Sequence, residues 1–347
     1  MFYRTAESVS PKHPDKLCDQ ISDAILDAYL EKDPNARVAA ETCGGHGVVF
    51  VTGEITSTAD DIDIPAIVKR IAGDDVEVHT KIVKQSPEIA AGVDTGGAGD
   101  QGIMIGYACD ETPEMLPREV ILARRLNQFI FDKYPYDGKT QVTIAPDGSI
   151  DSVVASFQNV PSDELSRIVS DWLNQEGFLN NRSVNLFSKD MLDNPEKYKT
   201  LLDDKNSIRA YVNPAGDWHQ GGFDADTGLT GRKLIVDNYG PRIAIGGGCY
   251  SGKDPSKVDR SAAYMARKIA VDYLKKRQAK EVLVRLAYAI GYAEPLEKTV
   301  VIDGQPEEIE GYDLTPKGII NYLDLKRPIY EKTACYGHYG EGFDWDK

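Results

Sequence analysis

Two apolar periodicities run through this chain, and they do not alternate in the strict βαβ order that a doubly wound parallel sheet demands. Helical spacing appears at Leu17, Ile21, Ala24, Ile25 and Ala28, opened by Pro14. Proline suits a first helical position, where its missing N–H would have had no partner anyway. The same spacing returns over 118–133, over 255–276 with Val258, Ala262, Met265, Ile269 and Tyr273 inward, and over 315–325 behind Pro316. Strand-type runs sit at 48–51, 54–56, 140–144, 234–236 and 282–290. This mixture predicts an α+β class, and 347 residues allow about two or three domains. Between 161 and 208 the composition turns to charged and amide side chains, with helical pieces expected near 162–175 and 190–203. Asp15, Asp19, Asp23 and Asp27 recur at i+4 steps on the first helix and read mostly as a solvated face.

The formal charge of −15, from 40 basic and 55 acidic side chains, argues against a general nucleic-acid binder or a protein docked on an anionic membrane. No apolar run approaches the length of a membrane span, and MFYRTAESVS lacks the apolar core of a signal peptide. Five scattered cysteines without a C-x-x-C pair predict reduced thiols in a cytoplasmic protein, with no zinc site.

Against that acidic background, the window from Thr230 to Arg260 is basic. It holds Arg232, Lys233, Arg242, Lys253, Lys257 and Arg260 against three aspartates, with six glycines. A basic, glycine-rich loop leading into a helix N-terminus is suited to a phosphate chain: free N–H groups and the helix dipole attract it, and small side chains let it approach. Gly247 to Lys253 even matches the G-x-x-x-x-G-K part of a Walker A loop, but Asp254 stands where a Mg²⁺-binding hydroxyl belongs. The P-loop assignment therefore fails while the inference of a polyphosphate stands. His13-Pro14-Asp15-Lys16 offers a histidine for a phosphate oxygen and a carboxylate for a divalent cation, although helix capping explains the same residues. The segment Gly92 to Gly102, with five glycines in 11 residues, reads equally as a lid or as a linker.

These strings together resemble the S-adenosylmethionine synthetases (methionine adenosyltransferases). The resemblance rests on Glu7-Ser-Val-Ser10 with His13-Pro-Asp-Lys16, Gly53-Glu-Ile-Thr56, Lys84-Gln-Ser-Pro87, Gly99-Asp-Gln-Gly102, Thr140-Gln-Val-Thr143, Gly228-Leu-Thr-Gly-Arg-Lys233, Gly246-Gly-Gly248, Ser251-Gly-Lys-Asp-Pro-Ser-Lys-Val-Asp-Arg-Ser-Ala-Ala263 and Ala334-Cys-Tyr-Gly-His-Tyr-Gly340. It covers nearly the whole chain apart from about 150–210.

The resemblance implies three similar sheet-plus-helix domains in a pseudo-threefold arrangement: an N-terminal domain at 1–88, a glycine-rich lid at 89–99, a central domain at 100–220 and a C-terminal domain at 221–347. It implies a homodimer with shared active sites, or a dimer of dimers. It also implies that methionine sulfur displaces triphosphate from C5′ of ATP, with hydrolysis of the triphosphate to pyrophosphate and phosphate. In that scheme His13, Lys139, Arg232 and Lys253 are catalytic, and Asp137, Asp217, Trp218, Asp226, Lys233 and Cys249 join them around ATP. Glu54, Gln85, Asp100, Asp226 and Lys257 hold methionine, Asp15 and Asp259 ligate two Mg²⁺ ions, and Glu41 sits at a K⁺ site.

The chain departs from the family pattern in several places. Pro11-Lys12 replaces the common Glu-Gly before the histidine, Trp218 stands near the usual adenine-stacking Phe, and Cys249 replaces a small alanine. The lid is also short, which predicts easier product release and admission of larger methionine analogues. Two other classes use the same residues: a phosphotransferase or ATPase built on the cationic loop, and a catalytically silent nucleotide-binding subunit.

Overall fold

The computed structural model describes residues 2–85, 96–179, 182–187, 189–194, 196, 204 and 206–347. Most of the expected lid, apart from 96–99, and most of the helix expected over 190–203 lie outside these residues.

The strands form three sheets, two of them mixed and the third wholly antiparallel. The first has the order β1 (Arg4–Val9), β6 (Gly138–Ile144), β7 (Ile150–Phe157), β9 (Ser207–Val212) and β8 (Ser183–Phe187). The second runs β10 (Gly228–Leu229), β2 (Arg37–Gly45), β3 (Val48–Thr56) and β4 (Glu77–Val83). The third runs β13 (Gln305–Glu308), β12 (Glu297–Ile302), β11 (Glu281–Tyr288) and β5 (Gly102–Cys109). Each third of the chain lends one strand to another third's sheet. β1 pairs with β6, β5 with β11 and β10 with β2, all antiparallel. The α+β class is observed.

Helices cover one face of each sheet. α1 (Pro14–Lys32) packs on β2, and α2 (Ile64–Ala72) packs on α1 and β4. α3 (Arg118–Phe131) packs on β1 and β6, and α4 (Ser162–Gln175) on β9. The short α5 (Lys189–Asp193) and α6 (Leu234–Asp237) follow. α7 (Val258–Arg277) packs on β5 and β11, and α8 (Pro316–Leu323) rests against α7. One apolar core joins α1 and α7 with the second and third sheets through Ile21, Ile25, Val51, Ala262, Met265 and Val284. A second core lies under α3 and α4, around Leu126, Phe157 and Trp172. Phe50, Val83 and Ile103 stay exposed on strands of the second and third sheets.

Two local expectations are overturned. The aspartate row of α1 is not a solvated face: Asp15, Asp19 and Asp23 are buried, and Asp27 is half-buried. Residues 234–236 form no strand. They belong to α6, closed by Asp237 N–H donating to Lys233 O at 2.8 Å. The reason is a pair of anchors. Gly231 donates to Asp19 and Asp237 meets Lys16. Asp19 and Lys16 are one turn apart on α1, about 5 Å along its axis, whereas six extended residues would span about 20 Å.

Candidate active site

The site is built on the start of α1. His13 is the N-cap, its Nδ1 accepting the Asp15 N–H at 3.2 Å, and Pro14 follows in the first turn. From there the four aspartates face loops of the last third of the chain instead of water. Asp15 accepts the Leu229 N–H at 3.1 Å, Asp19 the Gly231 N–H at 2.8 Å and Asp23 the Gly252 N–H at 2.8 Å. Asp27 accepts the N–H groups of Tyr330 and Glu331. Loops rich in glycine expose backbone donors, and a short carboxylate satisfies them at little entropic cost.

Asp15 also gathers cations. Lys233 Nζ lies 2.6 Å and Arg232 Nε 3.3 Å from its two oxygens. His13 Nδ1 stands 3.9 Å from Asp15 Oδ2. Burial and the neighbouring Lys233 ammonium push the His13 imidazole down to about 4, against the pull of Asp15, with Lys139 and Asp226 acting in opposite senses. Lys139 arrives from β6, opposite Val9 in register, with Nζ 3.8 Å from Glu7. Asp137, just before the start of β6, accepts the Gly222 N–H at 2.9 Å, and burial raises its carboxyl. His13, Asp15, Lys139, Asp226, Arg232 and Lys233 thus form one cluster.

A second cluster lies at the start of α7. Lys253 Nζ is 2.5 Å from Asp259, an acid of that helix's first turn. Burial works against the Lys253 ammonium, but Cys249, Asp259 and Asp100 outweigh it and raise its pKa. Glu41 in turn faces Cys249 electrostatically. Gly231, at φ 78°, joins the two clusters: a Cβ there would stand 2.6 Å from Cys249 Cβ. Gly248 leaves open the space beside Asp259, since its Cβ would fall 2.3 Å from Asp259 Oδ1. Gly248→Ala is therefore expected to displace the Asp259 carboxylate and lower kcat by roughly 10- to 100-fold, read from steady-state kinetics on folded protein.

The remaining candidates are less closely gathered. Glu54 pairs in register with Ala39, which bridges to Lys253, so it stands two strands from that lysine. Lys257 is occupied by Asp254, the residue at the hydroxyl position of the partial Walker A match, which also accepts the Val38 N–H at 2.7 Å. Gln85 Oε1 is buried without a partner among the described residues. Asp217 holds the start of α4, accepting the Ser162 N–H at 3.0 Å. Trp218 O accepts the Asn159 N–H at 2.9 Å, and its Nε1 is buried without a partner among the described residues. Gln158 ties this segment to the site: its N–H donates to Asp137 O at 2.9 Å and its side chain to His219 O at 2.9 Å.

Three buried aspartates that bond to the site's loops or to the start of α1 escape sequence reasoning: Asp19, Asp23 and Asp237. The available signal was composition. The row contains only short aspartates, where a solvated helix face mixes in long Lys and Glu side chains.

Among the described residues, no group of three or more His, Cys, Asp or Glu side chains forms a metal cage. Asp15 and Asp259 are single carboxylates, each neutralised by a lysine. Such donors fit a Mg²⁺ ion that takes most of its ligands from phosphate and water. The arrangement can therefore hold a polyanion by its cations and share a metal with it through its acids.

Comparison with known proteins agrees with this chemistry. The model of the S-adenosylmethionine synthetase N-terminal domain matches residues 1–87, that of the central domain 95–218 and that of the C-terminal domain 220–347. The S-adenosylmethionine synthase of Desulfosudis oleivorans is 43% identical over 390 aligned positions, covering 99% of this chain and 95% of that protein. With three family models in order along the chain and a relative of that identity over nearly its whole length, the chain belongs to the S-adenosylmethionine synthetase (methionine adenosyltransferase) family of enzymes.

Proposed function

We propose that this chain makes S-adenosylmethionine from ATP and L-methionine, the sulfur attacking C5′ and the whole triphosphate leaving before it is hydrolysed to pyrophosphate and phosphate. The observation that carries this reading is the pair of cation–carboxylate sets, Arg232 and Lys233 on Asp15 and Lys253 on Asp259, joined through Gly231 and Cys249. A thioether is a neutral nucleophile, so no general base is needed. The barrier lies in the charge that grows on the leaving oxygen, and preorganised cations lower it most where water is excluded.

In this reading Arg232, Lys233, Lys139 and Lys253 bind the phosphate chain, and His13 stands at the leaving oxygen. Glu54, Gln85, Asp100, Asp226 and Lys257 receive the methionine ammonium and carboxylate, and Asp137, Asp217, Trp218 and Cys249 border the nucleotide. Asp15 and Asp259 would hold Mg²⁺ and Glu41 would stand at a K⁺ site; bound there, the ions supply charge neutralisation of the triphosphate. The exposed Phe50, Val83 and Ile103 support a homodimer with shared sites, or a dimer of dimers, through the uncovered sheet faces. No helix among the described residues is long and apolar enough to cross a membrane, in keeping with a cytoplasmic enzyme.

One incubation with ATP, Mg²⁺, K⁺ and methionine tests the proposal. It predicts a methionine-dependent sulfonium product with pyrophosphate and phosphate. ADP as the product would replace it with the phosphotransferase or ATPase reading, and binding without turnover with the silent-subunit reading.

A further inference from the structure

Three charged side chains are shut into the interior beside the site without taking part in it. Lys16 is fully buried, its Nζ 3.1 Å from Asp19 Oδ2 and bonded to Asp237 Oδ1. One ammonium thus serves two carboxylates that are themselves almost inaccessible to water. Desolvating three charges is costly, and apolar residues of similar volume would do as well or better for stability alone. A positional role accounts for the arrangement. Asp19 Oδ1 accepts the Gly231 N–H at 2.8 Å, and Asp237 closes α6 by its own N–H to Lys233 O at 2.8 Å. The two carboxylates therefore grip the segment on either side of Arg232 and Lys233, and Lys16 ties both grips to the first turn of α1. The Asp237 C=O also accepts the His338 N–H at 3.0 Å, which secures α6 from its other side.

We propose that Lys16, Asp19 and Asp237 form a buried clamp that positions Arg232 and Lys233 for the triphosphate, without touching substrate themselves. The clamp rests on the proposed function for its ligand, but its geometry is a property of this chain alone. Burial, against the pull of Lys16, raises the Asp19 carboxyl to about 7, as expected of two acids sharing one cation.

Asp27 supplies the matched control. It is an aspartate of the same helix that also accepts backbone N–H groups, but the loop it holds carries Tyr330 and Glu331. Asp19→Ala leaves a balanced Lys16–Asp237 pair and frees Gly231. It should lower kcat by roughly 10- to 100-fold and weaken binding of inorganic tripolyphosphate, measured by calorimetry, at least 10-fold, with KM for methionine nearly unchanged. Asp27→Ala should lower Tm and leave kcat and tripolyphosphate affinity within about 2-fold of the parent, because the backbone groups it holds, those of Tyr330 and Glu331, lie outside the segment that carries Arg232 and Lys233, and Arg260 keeps its own bonds to Asp23 and the Lys253 C=O. Equal losses of kcat in the two variants, or none in Asp19→Ala, would overturn the clamp. If Asp19→Ala does not fold, Asp237→Asn decides on the same two readouts, since it leaves a balanced Lys16–Asp19 pair; unchanged values overturn the proposal. A parent protein that binds tripolyphosphate but makes no sulfonium product would sink the proposed function, while the binding comparison still decides the clamp.

Discussion

Replacing Lys253 by Ala is expected to lower kcat by about 100- to 1,000-fold, the usual cost of removing one preorganised donor from a developing anion. Stability should fall far less. The Lys253 side chain contacts Asp259 at 2.5 Å near the surface of the site, while the backbone that shapes the loop is held independently. Gly252 N–H stays on Asp23 at 2.8 Å and the Lys253 C=O keeps the Arg260 guanidinium at 2.9 Å. Steady-state kinetics beside thermal unfolding separates the two effects. A variant that unfolds, yet retains full turnover in its folded fraction, would remove Lys253 from the chemistry.

Arg260→Met should instead destabilise the fold by about 3–5 kcal/mol, since it strands a buried carboxylate without its cation. Arg260 Nη2 reaches both Asp23 oxygens at 2.7 Å, and both residues are fully buried. The guanidinium also lies over the Tyr330 ring, 4.4 Å from its centroid. The double variant Asp23→Asn with Arg260→Met removes the stranded charge and should recover part of the loss. Denaturant titration reads both; a loss below about 1 kcal/mol for Arg260→Met would mean that Asp23 finds water or another partner in the folded state.

Much of the architecture was legible because its signals are local. Pro14, Pro316 and the spacing of Val258, Ala262, Met265 and Ile269 mark helices whose apolar faces are indeed buried. The basic window and His13 were legible for the same reason: each is a short string with its own chemistry. The exchange of β1, β5 and β10 between sheets was not, because pairing partners such as Arg4 and Ile144 lie far apart in sequence. The aspartate row was misread for a related reason. An i+4 repeat of acids looks alike whether it meets water or backbone N–H groups, and Gly231, Gly252 and Tyr330 come from more than 200 residues away. Likewise Leu234-Ile235-Val236 carries strand-forming side chains, but two distant anchors, Asp19 and Lys16, fold it into a helical turn.

The central claim is that carbon–oxygen cleavage at C5′, not transfer of a phosphoryl group, is what the clustered cations serve. ATP carrying ¹⁸O in the bridge between C5′ and the α-phosphorus tests it most directly. After turnover with methionine, the account predicts that all of the label leaves with the inorganic phosphate products and none stays on the adenosyl group. Label retained on a nucleoside or nucleotide product would mean that a phosphorus–oxygen bond was broken, and would contradict it.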